Sequence, residues 1–130
     1  MNKDFTILIA DRNPHVRMFL QREMMAAGFR VRLADNARDV LKWAFQGEQI
    51  DLIILDPDLP DADEVNILEH LLDRIPALPV VVHTYPSEYG SGSKDMNDVI
   101  FVEKRGNSVE RLKQVVHETL IDSHSRRQKI

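Results

Sequence analysis

No cysteine occurs among the 130 residues of this chain. Disulfides and thiolate zinc sites are thereby excluded. Long apolar runs are also missing: nothing approaches the ~20 residues that a membrane-spanning helix needs. There is no excess of positive charge, since the formal net charge is −4 at pH 7. That balance argues against a general nucleic-acid binder. The one basic cluster near the end, Arg126, Arg127 and Lys129, is too small to hold a phosphate backbone usefully. No signal peptide is expected, because Asp4 and Phe5 lead straight into the first apolar run. The five histidines show no His-x-x-x-His pairing, so a histidine metal site is not expected. Gly90-Ser91-Gly92-Ser93-Lys94 lacks the spacing of a phosphate-binding loop. These absences fit a cytoplasmic protein with no membrane span and no direct nucleic-acid partner.

What is present is alternation. Hydrophobic residues make up 43% of the chain, enough for one domain with its own core. Phe5 to Ala10 reads as a first strand ending at Asp11. Asn13-Pro14 then caps a helix with Val16, Phe19, Leu20 and Met24 on one stripe and Gly28 as its stop. Phe29, Val31 and Leu33 alternate with Arg30 and Arg32, the pattern of an edge strand with one wet face. Asp35 or Asn36 can cap a second helix carrying Val40, Leu41, Ala44 and Phe45, closing near Gly47. Trp43 reads as packing.

Leu52-Ile53-Ile54-Leu55 is too short for a helix and reads as a strand buried on both faces. It ends at Asp56. Asp63 can cap a third helix, Glu64 to Arg74, with Val65, Leu68, Leu71 and Leu72 facing inward. Strand four is Val80 to Thr84 and strand five Val99 to Val102, followed by Lys104. A last helix from about Ser108 carries Val109, Leu112, Val116 and Leu120. Between strands four and five, Pro86 to Asp98 holds two glycines and no apolar stripe. Its helix is expected to be weak or absent. Five strand–helix alternations imply an α/β fold with a parallel sheet covered on both faces. The domain is expected over 1–122, with 123–130 as a tail or linker stub.

Asp11, Asp56, Thr84 and Lys104 each follow an apolar strand, so one edge of the sheet should gather them. In an open parallel sheet, ligands sit beyond the carboxyl ends of the strands. Two carboxylates, a hydroxyl and an ammonium suit a phosphoryl group. A carboxylate can be the nucleophile, while the hydroxyl and lysine bind the transferred oxygens. The bland alternative is that Asp56 and Asp58 only begin a turn with Pro57 and Pro60.

These residues carry a resemblance. Ile7-Leu8-Ile9-Ala10-Asp11, then Asp56-x-x-Leu59-Pro60-x-x-Asp63, then Thr84, then Lys104 together resemble the receiver domain of two-component response regulators, over nearly the whole chain. The resemblance implies a flavodoxin-like five-stranded sheet of order 2-1-3-4-5. It implies that Asp56 accepts a phosphoryl group from a histidine kinase or phosphotransfer protein, a receiver's task rather than an enzyme's. Magnesium would bind at Asp11, Asp56 and Asp58. Thr84 and Lys104 would hold phosphoryl oxygens, Thr84 and Phe101 would act as the switch, and a downstream protein or an output domain would read it.

Five positions depart from the family pattern. Arg12 stands where a second acidic residue usually contacts magnesium, so weakened binding is expected; the ion wants oxygen ligands. With Asp11, Asp56, Arg12 and Lys104 the local formal charge is about zero, where the usual set gives about −2. Pro57 lacks the N–H that the family offers to phosphoryl oxygens. Tyr85 replaces a small residue on the donor's approach. Glu64 replaces a glycine, and Arg105 a proline, so the loop after Asp56 and the direction of Lys104 are both expected to change. Two further readings stand beside phosphoryl acceptance. One is a phosphorylation-independent pseudo-receiver with Arg12 as a built-in cation. The other is a small phosphatase using Asp56-Pro57-Asp58, which resembles the haloacid-dehalogenase motif without its later acidic ligands. A homodimer is neither required nor excluded by the sequence.

Overall fold

The computed structural model describes residues 4–46, 49–74, 76–85 and 99–128, the last six of these as backbone only. The chain order is β1 (Thr6–Ala10), α1 (Pro14–Ala26), β2 (Arg30–Ala34), α2 (Ala37–Gln46), β3 (Leu52–Leu55), α3 (Ala62–Val65), α4 (Ile67–Leu72), β4 (Val80–Thr84), β5 (Val99–Glu103) and α5 (Ser108–Gln128). All described strand pairings are parallel, and the sheet runs β2-β1-β3-β4-β5. This is the expected order.

Strand periodicity divides the core between the two faces of the sheet. Leu8, Ala10, Ile53, Leu55, Val80 and Val82 point to one side, against Ala37, Val40 and Ala44 of α2 and Ile67 and Leu71 of α4. Ile7, Ile9, Leu52, Ile54 and Val81 point to the other, against Leu20 and Met24 of α1 and Leu112, Val115, Val116 and Leu120 of α5. β1 and β3 are buried throughout, which is why their sequences are apolar runs rather than alternations.

Local capping follows the sequence closely at α1. The Asn13 side chain accepts from the N–H groups of His15 and Val16. At the other end Gly28 takes a φ of 100°. Its N–H reaches the Met25 carbonyl, and that of Phe29 reaches Met24. This paired closure needs a left-handed residue, a conformation that glycine adopts at no steric cost.

Several helix expectations change. The third helix is broken in two by Asn66, whose φ of 48° is left-handed. Asparagine tolerates that conformation better than most residues. The break rotates the second piece, so Ile67 and Leu71 are buried while Leu72 is exposed, contrary to the inner face expected of it. The N-cap residue is Asp61, not Asp63. The Asp61 carboxylate instead accepts from the backbone N–H groups of Ala37 (2.5 Å) and Arg38 (3.1 Å), capping α2 from across the fold. Phe45 and Phe19 are more exposed than their stripes imply. The expected weak helix in 86–98 and the stop at Gly47 lie outside the described residues.

Candidate functional site

The carboxyl ends of β1, β3, β4 and β5 deliver Asp11, Asp56, Thr84 and Lys104 to one edge. The ladder itself sets their heights: Asp56 N–H donates to the Ala10 carbonyl at 2.8 Å, and Lys104 N–H to that of Thr84 at 2.7 Å. Asp11, Asp56 and Thr84 are all buried. The Lys104 ammonium lies 3.3 Å from Asp11 Oδ2 and 3.9 Å from Asp56 Oδ2. The lysine therefore points into the site despite Arg105, which turns away and pairs with Glu103.

Asp56 is held by backbone on both oxygens. Oδ1 accepts from the Asp58 N–H at 2.9 Å, and Oδ2 from the Arg12 N–H at 3.1 Å. Pro57 removes one donor after the acceptor, and the next one is already engaged with the carboxylate itself. Burial pushes the Asp11 carboxyl above its ordinary value; the Asn13 N–H and Lys104 pull the other way, and the Asp56 charge adds to the rise.

Arg12 takes the position that most separates this site from the family pattern. Its Nε is 3.6 Å from Asp56 Oδ2 and its Nη2 is 3.8 Å from Asp58 Oδ2. Its Nη1 lies 3.5 Å from the Asp58 carbonyl oxygen. The guanidinium thus spans the two residues that would serve a divalent ion alongside Asp11. Asn13, the other polar neighbour, is occupied in capping α1. Among the described residues no three acidic or histidine side chains gather in a metal-holding group. The guanidinium therefore stands among carboxylates of the kind a magnesium ion needs as oxygen ligands.

Further contacts surround this group. Arg17 Nη1 donates to the Asp11 carbonyl at 2.7 Å, bringing a further cation to the site's edge. His83 is buried beside Thr84, with Nε2 at 3.0 Å from Ser108 Oγ and Nδ1 without a partner. Burial first, and Lys104 second, push this histidine down to about 4, against the pull of Asp56. Tyr85 is exposed, with its ring centroid 5.5 Å from the Lys104 ammonium. Phe101 is partly buried against the α2 side of the core. Beside the site, a cavity of about 420 Å³ opens between α1 and the start of α5, lined among others by Val16, Phe19, Leu20, Lys104 and Val109. No described helix is long and apolar enough to cross a membrane.

Comparison with known proteins agrees with this fold. The chain is 38% identical over 77 residues to the DNA-binding transcriptional regulator NtrC of a Bradyrhizobium species, a match covering 59% of this chain and 16% of that regulator. It superposes on the signal receiver domain of an HD domain-containing protein from Pseudomonas fluorescens with a TM-score of 0.79, at 18% identity, covering 97% of this chain and 93% of that one. A CheY-like receiver domain protein from Methanospirillum hungatei gives 0.79 at 21% identity, over 94% and 98% of the two chains. The family model for the response regulator receiver domain matches residues 7–117, and this chain belongs to that family.

Proposed function

We propose that this receiver domain accepts a phosphoryl group on Asp56 from a histidine kinase or phosphotransfer protein. The observation that carries the reading is the setting of Asp56 Oδ2, which lies between the Lys104 ammonium and the Arg12 guanidinium at the open edge of the sheet. Both cations can answer the charge that develops on phosphoryl oxygens. Thr84 ends the neighbouring strand, and its hydroxyl is the expected follower of those oxygens, with Phe101 as the aromatic that responds. The apolar cavity beside Lys104 suits the docking of a protein donor.

Receiver domains generally bind magnesium at an acidic pocket. Here Arg12 stands across Asp56 and Asp58, and affinity for the ion is weaker than in a receiver with two adjacent acids. The output lies outside this domain, in a partner or in a region beyond residues 123–130; the NtrC match, of which this chain covers only 16%, supports the second. A pseudo-receiver that works without phosphate is the alternative; Pro57, which has no N–H, and the Asp58 N–H already held by Asp56 favour it. Incubation with acetyl phosphate and magnesium, followed by intact mass measurement, separates the two. Addition of one phosphoryl group that is absent from Asp56→Asn supports acceptance. An unmodified protein supports the alternative.

A further inference from the structure

We propose that Arg12 is the resident cation of this site, so that Asp56 accepts a phosphoryl group from a small acyl phosphate with no divalent ion present. The inference rests on the reading of Asp56 as acceptor and goes beyond weak magnesium binding.

Three observations carry it. First, the charge is already balanced. Asp11, Asp56 and Asp58 face Lys104, Arg12 and Arg17, so the site is formally neutral. A dianionic phosphoryl group meets little net repulsion there, and the work usually left to a divalent ion falls away. Second, neither side-chain cation is bonded to the acceptor oxygen, although Lys104 pairs with Asp11 and Arg12 with Asp58. Arg12 Nε at 3.6 Å and Lys104 Nζ at 3.9 Å flank the same oxygen of Asp56, and both separations are beyond hydrogen-bond contact. Their N–H groups can turn to phosphoryl oxygens without first breaking a bond to that carboxylate oxygen. The guanidinium fork matches two such oxygens at once. Third, Arg12 faces the approach. Its side chain is 46% exposed while Asp56 is buried, so it meets the donor before the nucleophile does.

The transfer step balances without a metal. An Asp56 carboxylate oxygen forms the new P–O bond. The bond between phosphorus and the acyl oxygen breaks, and acetate leaves with the electron pair as a carboxylate. No proton moves, and total charge is conserved.

The test uses the whole chain, acetyl phosphate, and either excess EDTA or magnesium, with labelling followed by intact mass. Beryllofluoride adduct formation, read by fluorine NMR, is the second measurement. The wild-type protein is expected to label in EDTA and in magnesium at rates within about threefold of each other. Arg12→Asp is expected to label about tenfold or more slowly in EDTA and to regain its rate with magnesium. Wild-type labelling and adduct formation only with magnesium would overturn this proposal and leave Asp56 as an ordinary acceptor. Equal labelling of Arg12→Asp in EDTA would overturn it too, because Arg12 would not be the cation. If neither label nor adduct forms under either condition, both the proposal and the acceptor reading fall. The wild-type comparison needs no variant, so misfolding of Arg12→Asp does not weaken the test.

Discussion

Replacing Arg12 by aspartate should convert a poor magnesium site into a good one. The guanidinium lies 3.6 and 3.8 Å from carboxylates of Asp56 and Asp58. Two unit charges at that range interact by about 1 kcal/mol in water and about 4 kcal/mol at the effective dielectric near a protein surface. The substitution changes the local charge by two and adds a ligand oxygen, and the ion itself is divalent. Against this, Arg12 is nearly half exposed, and solvent screening removes most of the gain. A net improvement of roughly 2–3 kcal/mol remains, which is roughly 30- to 150-fold in Kd. Arg12→Ala removes the repulsion without adding a ligand and should fall between the two. The assay is a magnesium titration of nitrogen-15-labelled protein, following the amides of Asp11, Asp56 and Asp58. A Kd for Arg12→Asp within about threefold of the wild type, in a variant with an intact circular dichroism spectrum, would show that the guanidinium does not control the ion.

Three other outcomes test the electrostatics and the packing. His83 has its folded value lowered from 6.5 to about 4, so below pH 6.5 the unfolded chain takes up a proton that the folded chain refuses. Its contribution to stability is complete above pH 6.5 and is lost by about pH 4, roughly 3 kcal/mol in all; urea unfolding of His83→Gln across this window should show a flatter pH dependence than the wild type. Asp61→Ala removes the cap that holds Ala37 and Arg38 and should cost about 1–2 kcal/mol in chemical denaturation, with hydrogen exchange rising first in the opening turn of α2. Glu23 and Lys113 join α1 to α5 at 2.8 Å, and the hydrogen bond from Lys113 lowers the Glu23 carboxyl. The thermal midpoint of Glu23→Gln should therefore lie below that of the wild type at neutral pH. That gap is full above pH 4.5 and should close as pH falls through the lowered Glu23 value.

Much of the fold was legible because strand and helix patterns are local. Leu52 to Leu55 and Val80 to Val82 are apolar at every position because both faces of a covered parallel sheet are dry. Asn13-Pro14 and Gly28 mark α1 because caps depend on a few adjacent backbone groups. The four strand-end residues could be placed on one edge for the same reason: parallel strands all finish on the same side. Tertiary structure decided the partners. Nothing near Asp61 in the chain says that its carboxylate will reach the start of α2, because the loops after β2 and β3 meet only when both strands pair with β1. Asn66 breaks a helix that the apolar spacing would have continued, and Leu72 beyond the break is exposed. Arg12 could have paired with adjacent Asp11; the fold gives Asp11 to Lys104 and Asn13 and directs the guanidinium to Asp56 and Asp58. Sequence sets which residues are apolar, capped or charged at each strand end, since those depend on near neighbours. Which charge meets which depends on distances between loops far apart in the chain, and only the packed sheet sets those.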